Sequence, residues 1–435
     1  MTNLYAERAD ARAPRPAVAG DILADVCVVG AGFTGLGAAL TLARAGVDVR
    51  VVEASRVGGG ASGVNGGQVH PGQRREQAWL EARVGEARAR ELWQIAEEAR
   101  LWLGDIAADI DNAASLAGDG AGGCDLRPGL LLLAHRARHF RALAEDAEHL
   151  ARHYGVAGLE VLDARAVEKY THMRGCHGGV FNPHGGHLDP LALARGLARL
   201  AEAAGARLHE QSRVLRVARE GDLWRVATEA GAVRARAVLL TGDGSLDPLS
   251  EVTAAHVMPL VNFMIATAPL DPALADTVLA GAIAASDTRC VVNYFRRTDD
   301  NRIIFGGGES YGADLPADFA ARVRRRMLVL YPQLATAAIT HGWGGRLGVT
   351  STRLPFVRRL EGGREDGLYV ASGFSGQGVM LGPYTGRLIA EAIVGDTERF
   401  DRMTALPVPE LPGGRWLRRP LLTAAMIGFG LLDKL

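Results

Sequence analysis

The sequence predicts an α/β fold: a Rossmann-like domain of the glutathione-reductase type, joined to a second domain on a mixed antiparallel sheet. Three observations predict it. Residues 25–56, DVCVVGAGFTGLGAALTLARAGVDVRVVEASR, set a strand, a glycine turn, a helix and a second strand in nucleotide-binding order. Residues 368–393, LYVASGFSGQGVMLGPYTGRLIAEAI, bring another strand to another glycine turn and helix. Between them lie a helical block, about 76–155, and a strand-rich block, about 246–339.

In the first unit, Val26 to Val29 form an apolar run suited to a buried parallel strand. Gly30, Gly32 and Gly35 supply GxGxxG. Leu36, Ala39, Leu40 and Ala43 recur with helical spacing, and Gly46 stops that helix. Val49 to Val52 make the second strand, which ends at Glu53. Gly30 permits the tight turn, Gly32 lets backbone approach a pyrophosphate, and Gly35 allows close helix–strand packing. The helix N-terminus offers N–H groups to the anion. Glu53, 18 residues after Gly35, accepts from a ribose hydroxyl.

The next stretch, VGGGASGVNGGQVHPG (57–72), holds seven glycines, where a nicotinamide-binding domain would continue into another plain βα unit. Backbone running close to a long second half of the cofactor explains it better, so FAD is expected. Ser62, Asn65 and Gln68 are expected to donate hydrogen bonds along that path. A disordered linker fits less well, because Ala, Val and Asn are interspersed and charge is absent.

The bulk numbers bound the rest. A length of 435 residues allows two or three domains, and 48% hydrophobic residues can build their cores. Lys plus Arg equals Asp plus Glu at 49 each, which gives a nucleic-acid partner no electrostatic support. Cys27, Cys124, Cys176 and Cys290 are isolated, so a reducing cytoplasm is expected. The first 25 residues contain no apolar run of a signal peptide. The apolar stretch 420–432 is too short for a transmembrane segment and reads as a final amphipathic helix packed on the body. His172, Cys176, His177, His184 and His187 fit no structural zinc spacing, so no metal is expected; they read as a loop and strand near the substrate region.

With these segments in view, the chain resembles the FAD-dependent amine and amino-acid oxidoreductases of the D-amino-acid oxidase superfamily, on the glycine/sarcosine oxidase side. The strip EASRVGGGASGVNGGQ is similar to the hallmark of the gamma-glutamylputrescine oxidase branch. GGHLDPLALARGLARLAEAAGARLHEQSRV (185–214), NYFRRTDDNRIIFGGG (293–308) and the 368–393 motif resemble further family segments. The resemblance implies cofactor contacts at Phe33 and Thr34, at Ala54 and Ser55, and at Ala61, Gly66 and Gly67. Val214, taken as the start of a strand, and Thr241 with Gly242 are implied on the adenine side. Gly376, Gln377, Gly378 and Val379 are implied at the flavin pyrimidine carbonyl, ahead of a helix starting at about Pro383. In the 185–214 segment, Asp189 and Pro190 read as an N-cap and first helical residue. The FAD-binding domain is then discontinuous, 20–95, 160–245 and 340–400; 96–159 and 246–339 form the substrate domain, and 401–435 the tail.

The implied chemistry is hydride transfer from an amine C–H to FAD, followed by imine hydrolysis, with O2 or a quinone as acceptor. His70, Tyr294, Phe374 and Arg346 are the candidates for the reacting site. One departure stands out. Amino-acid-oxidising relatives carry WAGLRPxTPDxxP, whose arginine pairs with the substrate carboxylate. In WGGRLGVTSTRLP, Leu347 stands at that position and Arg346 one residue earlier, which on a strand turns it to the opposite face. The expected substrate is therefore a small-molecule amine without an α-carboxylate, such as gamma-glutamylputrescine. Other readings remain open: a glycine, sarcosine or D-amino-acid oxidase, a quinone-linked dehydrogenase, or a non-catalytic or tRNA-modifying flavoprotein. No cysteine lies in the flavin motifs, so the FAD is expected to be non-covalent. The sequence leaves the oligomeric state unknown.

Overall fold

The valines at 26–29 and 49–52 lie side by side in the computed structural model, which describes residues 1–9, 12–117, 122–247, 249–310, 314–360 and 367–414. Strand β1 (Gly20–Val29) pairs in parallel with β2 (Val49–Val52) and β10 (Gly231–Leu240). Parallel pairing continues from β2 to β7 (Arg207–His209) and from β10 to β17 (Leu368–Ser372). The hairpin of β8 (Arg216–Glu220) and β9 (Leu223–Ala227), with β16 (Phe356–Arg359), adds antiparallel edges to this eight-stranded sheet. Its central strands are near-continuous valine, leucine and alanine, as a parallel sheet covered by helices requires.

The second sheet has nine strands. Strands β11 (Val257–Thr267), β14 (Ile303–Ser310), β13 (Tyr294–Arg297) and β12 (Ala284–Asp287) come from the strand-rich block. The others are β3 (Gln68–Val69), β4 (Arg127–Leu133), β5 (Glu160–Asp163), β6 (Gly178–His187) and β15 (Ile339–Thr350). Pairing is antiparallel except between β4 and β12. Thus β6 and β15 join the second sheet, from segments that the sequence reading gave to the nucleotide half. The block about 76–155 is helical in α3 (Gln77–Val84), α4 (Glu86–Ala117) and α5 (Ala137–Tyr154), but it also contributes β4.

Each sheet has its own apolar cluster. The first takes in β1, β2, β10 and the helices against them; the second is rich in aromatics, with Phe295 stacked on Phe305 at 5.7 Å. Helices α7 (Glu251–His256), α8 (Pro272–Val278) and α9 (Phe319–Leu330) flank the second sheet, and α11 (Glu398–Thr404) follows the last long helix. The short α1 (Leu4–Arg8) buries Leu4 and Tyr5, and Tyr5 meets Trp343 edge-on at 5.3 Å. No helix among the described residues is long and apolar enough to cross a membrane. The 420–432 stretch lies outside them.

Helices α2 (Phe33–Arg44), α6 (Pro190–Ala203) and α10 (Gly378–Ile393) form one packed layer. Asp189 caps α6 as expected, its carboxylate accepting from Leu191 N–H and Ala192 N–H at 2.9 Å each. The expected start of α10 at Pro383 is corrected: the helix begins at Gly378 and Pro383 lies inside it. Proline usually marks a first turn because it lacks an N–H. Here its missing donor is tolerated while its carbonyl packs on Gly37 of α2. A second correction concerns Val214, which precedes the strand; β8 starts at Arg216. The backbone at 215 pairs only once, Leu215 N–H to Ala227 O at 2.8 Å.

The α2–α10 crossing is backbone on backbone. A Cβ on Gly386 would overlap the Thr34 carbonyl, and one on Gly37 would overlap that of Pro383. Gly104 on α4, by contrast, has nothing within 4 Å of its Cβ position. Gly386→Ala is expected to lower unfolding stability by about 1–3 kcal/mol. Gly104→Ala should leave it equal or raised by about 0.4–1 kcal/mol. Urea midpoints of the two purified variants check this contrast.

Candidate functional site

The site grows from the turn after β1. Gly30 has φ +109°, a conformation that favours glycine, and its Cβ position lies 3.2 Å from the Thr241 backbone. A Cβ on Gly35 would overlap the Gly30 carbonyl, so helix and strand close up as the motif requires. Gly32 opens toward Ser62, whose Oγ accepts from Phe33 N–H at 3.0 Å. Phe33 and Thr34 are buried in the first turn of α2. Thr241 donates its hydroxyl to Val29 O at 2.9 Å, and Gly242 precedes a short turn. Glu53 accepts Ala31 N–H on one oxygen at 2.8 Å, and Ser55 N–H and Oγ on the other at 2.8 and 2.9 Å. Its carboxylate, beside Ala54, keeps lone pairs to spare for hydroxyl donors.

In the glycine strip, Ala61 starts a 3-10 turn, and Asn65 donates to Ala61 O at 2.9 Å and Ser62 O at 3.0 Å. Asn65 Oδ1 accepts from Gly67 N–H at 2.7 Å. Gln68 donates to Ala285 O at 2.8 Å and Phe295 O at 3.3 Å. The expectation that Asn65 and Gln68 donate along the cofactor path is therefore corrected. Their amides fold the strip and stitch it to the second sheet, which leaves Ser62 as the one of the three with an uncommitted proton. Gly66 is pressed by the Tyr294 ring, 2.8 Å from its Cβ position, and Gly67 lies against the Leu188 carbonyl.

The C-terminal motif turns through three left-handed residues, Gly373 (φ +74°), Ser375 (+53°) and Gly376 (+95°), into the N-terminus of α10 at Gly378 and Val379. The Cβ position of Gly376 has nothing within 4 Å. The side chain of Gln377 reaches back to His70 O at 2.7 Å and Gly72 O at 3.2 Å. Phe374 is 7% exposed. The sequence reading missed Asp243. It sits at φ +46° and accepts Gly348 N–H at 2.6 Å and Gly373 N–H at 2.7 Å. Burial pushes its carboxyl up, against the pull of those backbone donors. An aspartate inside TGDG was the available signal, since Asp tolerates the left-handed region.

Two polar groups have their proton placement fixed by neighbours. Because Gln68 donates its amide to two carbonyls, its Oε1 is an acceptor, and His70 Nε2 at 3.1 Å must be the donor. His70 is then neutral with Nδ1 left as an acceptor. Burial, reinforced by the Arg74 charge, pushes it down to about 4. Asn262 donates to Gly308 O at 3.0 Å and so offers Oδ1 to the Tyr294 hydroxyl in a short hydrogen bond. The Tyr294 oxygen is left as an acceptor, and burial raises its pKa.

On β15, Trp343 Nε1 donates to Val64 O at 3.1 Å, and the Cβ position of Gly345 points at Val64 and Ala61. Strand alternation puts half-buried Leu347 on this strip-facing side. Arg346, expected among the reacting side chains, is exposed on the other face. His187 is buried on β6, its Nε2 3.3 Å from Ala282 O, and burial pushes it down to about 3. Among the described residues no group of three or more His, Cys, Asp or Glu is placed to hold a metal.

The donor set and the free space suit a flavin dinucleotide. Helix N-termini at α2 and α10 offer N–H groups, Glu53 offers acceptors, and Gly376 leaves room for backbone approach. The comparisons agree. The model of the DAO family, FAD dependent oxidoreductase, matches residues 25–392. Gamma-glutamylputrescine oxidoreductase of Escherichia coli is 36% identical over 100% of this chain and 98% of its own. A probable oxidoreductase OrdL of Rhizobium meliloti is 36% identical over 96% of this chain and 94% of its own. The crystal structure of glycine oxidase from Geobacillus kaustophilus superposes with a TM-score of 0.72 at 21% identity, covering 86% of this chain and 95% of that one. The chain belongs to the DAO family of FAD-dependent oxidoreductases.

Proposed function

We propose that this enzyme oxidises an amine that carries no α-carboxylate, with gamma-glutamylated diamines as the favoured substrates and O2 as the acceptor. The observation that carries this reading is Leu347 on the strip-facing side of β15, with Arg346 turned to the opposite face. Full-length similarity to gamma-glutamylputrescine oxidoreductase supports it. The segments of the first sheet and the glycine strip hold the cofactor in this reading, and the second sheet roofs it. Bound FAD supplies a two-electron hydride acceptor.

The protein's part is orientation and selection. Tyr294 and His70 both present acceptors, which suit the N–H groups of an amine and repel a carboxylate. Phe374 is buried near the start of α10, and the Tyr294 ring packs on Gly66 and Gly306. Neither polar group is a strong base: His70 is held near 4, and Tyr294 keeps its proton on Asn262. The amine is therefore taken from solution in its neutral form.

Anaerobic mixing with gamma-glutamylputrescine is expected to bleach the flavin faster than glycine, sarcosine or D-amino acids do. Preference for an α-amino acid sinks the reading, and parallel peroxide and quinone-reduction assays identify the acceptor. Because the free amine is selected, kcat/KM should rise about tenfold per pH unit from pH 6 to 9, without an enzyme inflection near 6.5. His70 is lowered, hence already deprotonated across that range, so His70→Asn should keep the slope; an inflection near 6.5 that this variant abolishes refutes the assignment. The FAD is expected to be non-covalent, since Cys27 and Cys124 are buried and no motif near the strip holds a cysteine. Acid precipitation should leave the yellow colour in the supernatant.

A further inference from the structure

The loop that follows the strip holds a cation that the reaction as described does not use. Arg74 Nε donates to Ser375 O at 3.1 Å. Among the described residues that is its only hydrogen bond, and no carboxylate stands within ion-pair distance of it. The two terminal nitrogens, the fork that matches a carboxylate bidentately, stay uncommitted on a half-buried side chain. The loop is fastened at three points to the C-terminal motif: Gln377 holds the carbonyls of His70 and Gly72, and Arg74 holds Ser375. Ser375 in turn bonds Gly348 O at 3.0 Å, next to Leu347. The cation is thus pinned to the same motif as His70.

Its surroundings are rich in charge. Arg75 donates to Thr352 O at 2.9 Å and stacks 4.9 Å from the Trp79 ring; Arg353, half-buried, lies on left-handed backbone at φ +67°. Three arginines meet there against Glu76 and Glu309, and burial with the Arg353 charge holds the Arg74 guanidinium down to about 10. The side chains of Tyr294 and Leu347 carry no formal charge, and the Arg296 guanidinium on the same face is committed to Gly66 O at 3.2 Å and the Tyr5 hydroxyl at 3.3 Å. An acceptor-bearing wall and a separate loop guanidinium with uncommitted terminal nitrogens fit a molecule whose amine and carboxylate are separated by a chain.

We infer that Arg74 binds a carboxylate that the amine substrate carries at a distance from its reacting nitrogen, and so selects carboxylate-bearing acyl-diamines over those without one. This rests on the amine reading above and deepens it. Three holoenzymes test it, wild type, Arg74→Met and Arg74→Lys, each checked for equal flavin content. They are assayed on gamma-glutamylputrescine and on N-acetylputrescine, which keeps the free amine and lacks the carboxylate. Glutarate binding is measured by calorimetry. The ratio of kcat/KM for gamma-glutamylputrescine over N-acetylputrescine should fall about 10- to 100-fold in Arg74→Met, through KM, with partial recovery in Arg74→Lys. Glutarate affinity should weaken alongside. An unchanged ratio with unchanged glutarate affinity overturns the inference. A wild type that prefers sarcosine or glycine to both amines overturns the amine reading and the spacing together. A wild type that prefers gamma-glutamylputrescine while Arg74→Met keeps the ratio overturns Arg74 alone.

Discussion

The Asp243 carboxylate fixes how the two sheets meet. One oxygen takes the Gly348 N–H of β15 and the other the Gly373 N–H just beyond β17, from a left-handed residue at the end of β10. Three segments far apart in sequence therefore converge on one side chain. Hydrogen bonds to a charged acceptor are each worth about 1.5–3 kcal/mol, and removing the acceptor would leave two buried N–H groups unmatched. The geometry of everything between β15 and α10 depends on that junction, including which residues of β15 face the glycine strip.

From this junction the polar order of the site follows. Ser375 and Gln377, on the turn that Asp243 holds, fasten the loop of His70 to Arg74. Gln68 and Asn262 then decide which atoms of His70 and Tyr294 carry protons. Protein carbonyls orient both amides, so the acceptor character of the inner wall is set by backbone rather than by titration. A low pKa on His70 is the expected companion: desolvation and a nearby guanidinium both oppose the imidazolium.

What was legible in the sequence was what local physics dictates. The strand, glycine turn, helix, strand and acid at 25–53 could be read because each residue's task is set within the unit: Gly30 and Gly35 make the turn and the close packing, and Glu53 follows the second strand. The alternation that separates Leu347 from Arg346 was readable because a strand has a fixed period of two. Roles assigned by distant partners were not. Asn65 and Gln68 look like cofactor donors until the carbonyls of Ala61, Ala285 and Phe295 are seen to claim them. Pro383 signals a helix start by propensity, yet α10 begins earlier because the turn before it is shaped by Gly373 and Asp243. Asp243 shows in the sequence only as an aspartate in a glycine turn and Arg74 carries no motif; their partners Gly348, Gly373 and Ser375 come from distant segments.

The leucine at 347 then has an energetic reading. An arginine facing the strip would be matched only when a substrate brought a carboxylate to it. With any other amine it would stay desolvated and unpaired, a penalty of about 3–5 kcal/mol for a buried charge that has lost its partner. An uncharged residue there removes that penalty for amines and forfeits the gain for α-amino acids, which is the physical basis of the proposed preference and needs no new attractive contact. Moving the cation from the strand to the half-buried loop at Arg74 changes the balance again. There a carboxylate on a flexible tail can pair with the guanidinium and offset the desolvation that lowers it, without the tail having to reach the reacting carbon. In the proposed reading, selectivity for the distance between amine and acid comes from where the charge is mounted, as much as from which residue carries it.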